Sequence, residues 1–276
     1  MAAAMVTGCQ RVGETGDGKV KLSFQIWDTA QRNGMESVAK AYMDRNPDVV
    51  IDVQVTSWDE YWTKLDAAAE SNQLPDIFWM HTNQILKYAD YGKLADVTDL
   101  YDQEDPDYYT KHFSEISLNN AKGSDGRIYG VPKDKDTVCL VYNREMFDNA
   151  GLAYPDDSWT WDDLTEASAA IYDKTGKYGF MAYADEQLGY WNFVYQAGGH
   201  ILNEDKTKAG FMDPATRKGM EFYIHLQKEP WCPDQKYFAE TNPGTAFISG
   251  QGAMYLEGNW NLMSMMENNK DMEGKW

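Results

Sequence analysis

The chain has 276 residues, long enough for one large or two medium domains with a sizeable buried core. Its net charge of −19 would repel nucleic-acid phosphates and anionic membrane surfaces, which excludes both as main partners. Aromatic residues are 14% of the chain, with 10 Trp and 18 Tyr, more than a core alone needs and consistent with a ring-lined binding cleft.

The first ten residues, MAAAMVTGCQ, form a small apolar run ending in Cys9. The run is too short to span a bilayer, which takes about 20 apolar residues. It reads as the tail of a secretory signal, and Val6-Thr7-Gly8-Cys9 resembles a bacterial lipobox, in which the cysteine is lipidated. Residues 10–19 are polar, Gly-rich and aperiodic, as a flexible tether would be.

Beyond the tether the pattern is regular. Leu22, Phe24 and Ile26 alternate as in a strand. Met35, Val38, Ala39, Tyr42 and Met43 follow helical spacing, and Asn46-Pro47 stops that helix. VIDVQV (50–55) alternates again. Ser57 and Glu60 form a capping-box pattern opening a helix with Tyr61, Leu65 and Ala68 on one face. PDIFWM (75–80) reads as a buried strand. This β-α-β-α-β order predicts a parallel sheet, whose ligands bind beyond the carboxyl ends of the strands. The residues placed there are Trp27 and Asp28 after the first strand, and Trp79, His81 and Thr82 after the third.

Further on, a turn at 124–126 leads through RIYGVP (127–132) and a charged run to a strand, VCLVYN (138–143). Thr160 with Asp163 predicts an N-capped helix to about residue 172. Residues 177–180 read as a strand. Helical patterns fall near 189–197, 214–228 and 243–250, residues 253–256 form a last strand, and Gly258-Asn259-Trp260 opens a helix. Cys139, in an apolar run, is expected to be a buried thiol, and its pairing with Cys232 is left open. The four histidines lack ligand spacing, so no metal and no cofactor are expected.

Five motifs in order carry a resemblance. Pro75-Asp76-Ile77-Phe78-Trp79 resembles a P-D-[VI]-x-W strand. Ile128 to Pro132, through Asp136-Thr137 to Tyr142-Asn143, resembles a Y-G-[LV]-P…YN crossover. Trp159 to Leu164 is similar to a TWdEl helix start. Gln196-Ala197-Gly198-Gly199 resembles an A-x-G-G turn. Phe247 to Gly250, Ala253-Met254 and Gly258-Asn259-Trp260 resemble F-x-x-G-x-x-A-M…G-x-W. Together they resemble the extracellular solute-binding proteins of carbohydrate ABC transporters, the maltose-binding-protein-like group.

That resemblance implies an α/β, two-lobed, type II periplasmic-binding-protein-like fold, each lobe a mostly parallel sheet flanked by helices. Residues 1–19 would be signal remnant and tether, 20–132 the first lobe and 133–276 an incomplete second lobe, since family members are longer. It implies capture of a sugar between hinged lobes and delivery to an ABC permease, with no bond made or broken. The expected partners are a carbohydrate and the permease subunits. The membrane is met only through a lipid anchor on Cys9, at the outer face of the cytoplasmic membrane or in the periplasm, and the protein is expected to be a monomer. Sugars need flat rings against their C–H faces and polar groups on their hydroxyls. The expected ligand-binding residues are Trp79, Trp260, Asp136, Asp28, Gln31, His81, Thr82, Glu186, Tyr190, Trp191 and Glu257, while Trp58 and Trp62 are read as packing. A polyamine or metal-chelate binder of the same fold and an exported glycoside hydrolase are the alternatives.

Overall fold

The computed structural model describes residues 13–14, 18–100, 107, 111–204, 207–270 and 274–276. Cys9, with its lipobox, and most of the tether lie outside these residues. The chain divides into two compact units, Met1–Lys135 and Asp136–Trp276.

The first unit contains β1 (Gly13–Glu14), β2 (Val20–Ile26), α1 (Arg32–Arg45), β3 (Val49–Val55), α2 (Trp58–Glu70), β4 (Ile77–Phe78), α3 (Thr82–Asp90) and α4 (Glu115–Asn119). Strand β2 is central. It runs parallel to β3 from Val20↔Val49 to Ile26↔Val55 and parallel to β4 through Phe24↔Ile77, with β1 antiparallel at its start. The alternation of the strands puts Phe24, Ile26, Ile51, Val53 and Val55 against α1, with Trp79 in the same cluster. On the other side Tyr61, Leu65 and Ala69 of α2 pack with Tyr88 of α3 and Phe78.

Three local expectations change. The buried face of α1 is narrower than the sequence suggests: Met35, Ala39 and Met43, four apart, meet the sheet, while Val38 and Tyr42 are exposed. Ser57 does cap α2 by position, but its side chain makes no cap bond, and Glu60 pairs with Lys64 instead. The buried residue of its last turn is Ala69, not Ala68. The run 75–80 holds only a two-residue strand, and Ile77 is exposed. Its place is fixed by Asp76, whose Oδ2 accepts from the Ser23 N–H at 2.8 Å and the Ser23 hydroxyl at 2.7 Å.

The second unit contains β5 (Val138–Tyr142), α5 (Arg144–Ala150), α6 (Trp161–Thr175), β6 (Tyr178–Phe180), a π-helical turn (Glu186–Tyr190), α7 (Trp191–Gln196), α8 (Pro214–Leu226), α9 (Gln235–Glu240), α10 (Pro243–Ile248), β7 (Gly252–Gly258) and α11 (Asn259–Asn268). Its sheet is mixed: β7 lies centrally, parallel to β6 and antiparallel to β5. Phe180, Ala182 and Met254 face a core built with Phe147, Ile171, Phe193 and Leu226. Val141, Met181 and Tyr255 face a smaller one with Ala246 and Phe247.

Thr160 and Asp163 form the expected capping box, with reciprocal bonds between each side chain and the other's backbone. The A-x-G-G turn is pinned to the start of α8. Thr216 Oγ1 donates to His200 O at 2.9 Å and accepts from His200 N–H at 3.0 Å. A methyl at Gly199 would lie 2.5 Å from Thr216 N, so only glycine allows this approach. Both described cysteines are free. Cys232 is buried as a small hydrophobe, but Cys139 is exposed, against expectation. It shares the parity of Val141 yet lies nearer the start of edge strand β5, outside the second cluster.

Candidate functional site

At the carboxyl ends of β2 and β4 the first unit assembles an aromatic cluster around Trp27. Its ring centroid is 5.3 Å from Trp58, 5.2 Å from Tyr61, 5.9 Å from Trp62, 5.0 Å from Trp79 and 6.4 Å from His81. Most of these pairs are edge-to-face, the arrangement that ring quadrupoles favour. Trp58 and Trp62 are four apart at the start of α2, so they share a face and both reach the hub. Tyr61 Oη donates to Trp79 O at 2.6 Å, tying α2 to the segment after β4.

Trp79 is 6% exposed. It packs with Ile26, Ala39 and Val53, and the Lys133 ammonium lies 4.1 Å from its ring centroid. Side chains of its own unit thus cover the Trp79 ring. The exposed indole of the cluster is Trp58, 43% accessible. It packs edge-on against Trp27, Trp62 and His81 and leaves part of its ring open.

The polar rim is well determined. Asp28 Oδ1 accepts from Ala30 N–H at 2.8 Å, and its Oδ2 accepts from Gln31 Nε2 at 2.8 Å. Gln31 Oε1 in turn accepts from Lys133 at 2.9 Å. His81 is the N-cap of α3, its Nδ1 accepting from Asn83 N–H at 3.2 Å. Burial lowers its pKa against the opposing pull of Asp134. Thr82, the first residue of α3, is exposed.

In the second unit Asp136 is exposed just before β5. Glu186 is exposed at the start of the Glu186–Tyr190 turn, whose backbone kinks at Gly189 (φ −127°, ψ −118°). Tyr190 packs against the larger core. Trp191 follows, half-buried, and its Nε1 is a buried donor with no hydrogen-bond partner among the described residues. A buried unpaired donor is costly and invites an acceptor.

Glu257 is 5% exposed. Its Oε1 accepts from Gly258 N–H at 2.7 Å and Asn261 Nδ2 at 3.0 Å, and its Oε2 accepts from Tyr255 Oη at 3.3 Å. Burial raises its pKa, with the three hydrogen bonds pulling the other way. The carboxylate is turned inward and holds the first turn of α11. That turn carries Trp260. The indole folds over Gly258 so closely that a Cβ there would lie 2.2 Å from its ring atoms.

The structure thus groups Trp79, His81, Asp28 and Gln31 around the end of the first sheet, and sets Glu257 and Trp260 on one turn of the second unit. Sequence reasoning missed the hub role of Trp27, the exposed face of Trp58 and the position of Lys133. The pair Trp58 and Trp62, one helical turn apart beside a strand-end Trp, was the available signal. Among the described residues no group of His, Cys, Asp and Glu could hold a metal ion, and no helix is long and apolar enough to cross a membrane.

Comparison with known proteins follows the same lines. The diacetylchitobiose binding protein DasA of Streptomyces coelicolor is 22% identical over 266 residues, covering 96% of this chain and 61% of that protein. An arabinooligosaccharide-binding protein of Halalkalibacterium halodurans is 23% identical over 245 residues, covering 80% of this chain and 53% of that protein. The chain spans about 40 to 60% of the length of the curated relatives it matches. Among solved structures, an ABC substrate-binding protein from Listeria monocytogenes in complex with cycloalternan is 25% identical. It superposes with a TM-score of 0.79, covering 91% of this chain and 64% of that one. The fold is that of the type II periplasmic binding proteins. All three are named as binding proteins. The family described as bacterial extracellular solute-binding protein matches residues 27–274, nearly the whole chain, and the chain belongs to that family.

Proposed function

We propose that this chain binds a sugar or oligosaccharide and delivers it to an ABC permease, without making or breaking a bond. The observation that carries the reading is the Trp27 cluster, with the half-exposed Trp58 indole at the carboxyl end of a parallel sheet. Such a face suits the C–H side of a pyranose, and the amide of Gln31 and the carboxylate of Asp28 suit its hydroxyls. In the second unit the proposed contacts are Asp136, Trp260, Glu186, Tyr190 and Trp191, whose Nε1 has no partner among the described residues. The relatives named for diacetylchitobiose and arabinooligosaccharides support a carbohydrate over other solutes. We further propose that the protein works as a monomer outside the cytoplasm, anchored by lipid on Cys9.

The test is a tryptophan-fluorescence titration of the whole chain with mono- and oligosaccharides, polyamines serving as controls. Saturation by one sugar class, with the sugar recovered unchanged by mass spectrometry, is the expected result. Saturation by polyamines alone, or cleavage of the sugar, would overturn the reading.

A further inference from the structure

The Lys133 side chain is 27% exposed and its ammonium is held on three sides. It lies over the Trp79 ring, donates to Gln31 Oε1 at 2.9 Å, and pairs with the Asp134 carboxylate. Gln31 is fixed in turn, because its Nε2 donates to Asp28 Oδ2. Donors and acceptors alternate along Asp28, Gln31, Lys133 and Asp134, and the chain of bonds ends on an aromatic face. An indole face, a neutral acceptor and a carboxylate are together a cation site. Here the chain's own lysine fills it.

A sugar ring stacking on this face of Trp79 would have to take the place of Lys133. Two groups cannot share it. We propose that Lys133 is an internal occupant of this site, exchanged for the ligand on binding, and that it thereby sets affinity and the choice between neutral and cationic ligands. The exchange rests on the carbohydrate reading above; the occupancy of the ring does not.

The exchange has a sign. Releasing Lys133 gives up a cation–π contact and an ion pair, so a neutral sugar binds more weakly than the bare ring would allow. Lys133→Ala removes that competition, and affinity for the sugar rises about three- to tenfold, the range of a partly desolvated cation–π contact. Salt weakens the ion pair, so wild-type affinity rises with ionic strength while the Ala variant's stays flat. Lys133→Arg keeps a cation and both polar partners, and behaves as wild type. With Lys133 gone, Asp134 and Gln31 are left facing the ring, and a small amine such as ethylammonium can enter.

Two measurements on the whole chain test this. The first needs no ligand: acrylamide quenching of Trp79, taken as the difference from Trp79→Phe. Should Trp79→Phe fail to fold, the Trp79 indole N–H resonance in a 15N-labelled chain reads the same ring. Quenching that rises in Lys133→Ala and not in Lys133→Arg is expected; no change in either overturns the occupancy. The second is calorimetric titration with the sugar class that saturates the wild type. Tighter binding by Lys133→Ala supports exchange, while equal or weaker binding overturns it, the weaker case marking Lys133 as a direct ligand contact. If no sugar binds either protein, the carbohydrate reading fails separately. Ethylammonium then decides the exchange: protection of Trp79 from quenching in Lys133→Ala supports it, and no protection overturns it.

Discussion

The carboxyl ends of β2 and β7 are built by different forces. At the first, rings pack edge to face around Trp27 and polar groups stay on the rim. At the second, a buried carboxylate, Glu257, gathers the Gly258 N–H, the Asn261 amide and the Tyr255 hydroxyl to shape the turn before Trp260. Ring packing is additive and tolerant, since each contact contributes a little and neighbours can relax. A buried carboxylate is all-or-none, because removing it strands every donor that faced it. The two ends should therefore respond differently to substitution.

The largest effect is expected at the hub. Trp27→Ala removes a ring shared by five others and should cost about 3–5 kcal/mol in urea denaturation. A loss under about 1 kcal/mol would show that the cluster does not hold the first sheet. Next comes Glu257→Ala, expected to cost about 2–4 kcal/mol by the same measurement, through the stranded donors. Glu257→Gln keeps an acceptor for Gly258 and Asn261 and should stay within about 1 kcal/mol of wild type.

The Gln variant also sharpens the comparison through pH. Burial raises the Glu257 pKa in the folded state, so the folded chain holds more protons than the unfolded one between the ordinary glutamate range and that raised value. Wild-type stability from this group falls as pH rises through the window, and the penalty is complete above it. Glu257→Gln has no charge to bury, so its stability relative to wild type should climb across the window and level off above. Melting curves against pH check this, and a difference that shrinks with rising pH would break it.

Smaller effects follow. Tyr61→Phe removes the 2.6 Å bond to Trp79 O and should cost about 1 kcal/mol. Gly258→Ala should cost less than about 1 kcal/mol, since the clash falls on the far edge of the Trp260 ring, which can swing away. Its mark is near-UV circular dichroism: a changed Trp260 signal with little change in melting temperature is expected.

The alternating strands of the first unit and the Thr160–Asp163 cap were legible because their causes are local: side-chain parity in one case, a three-residue spacing in the other. The family motifs were legible for a related reason, since Asp76 and Gly199 each meet a fixed partner that tolerates no substitute. What stayed hidden depends on distant segments. Trp27 is a hub only because α2, β4 and α3 converge on it. Trp79 is covered by Lys133, more than fifty residues away. Glu60 matched the capping pattern but found Lys64 on the next turn of its own helix. The burial of Glu257 could not be read from the glycine and asparagine that follow it, because its surroundings come from the packed β7 and α11.

The two described thiols have a practical consequence. Cys139 sits at the surface, while Cys232 is sealed in the larger core, where burial pushes its thiol up to about 12. An alkylating reagent reaches the first in the native state and the second only when the core opens. With Cys9 replaced, the chain carries two chemical clocks of the same element, one running at once and the other started by unfolding. Their ratio reads how often the second unit opens, without any added label.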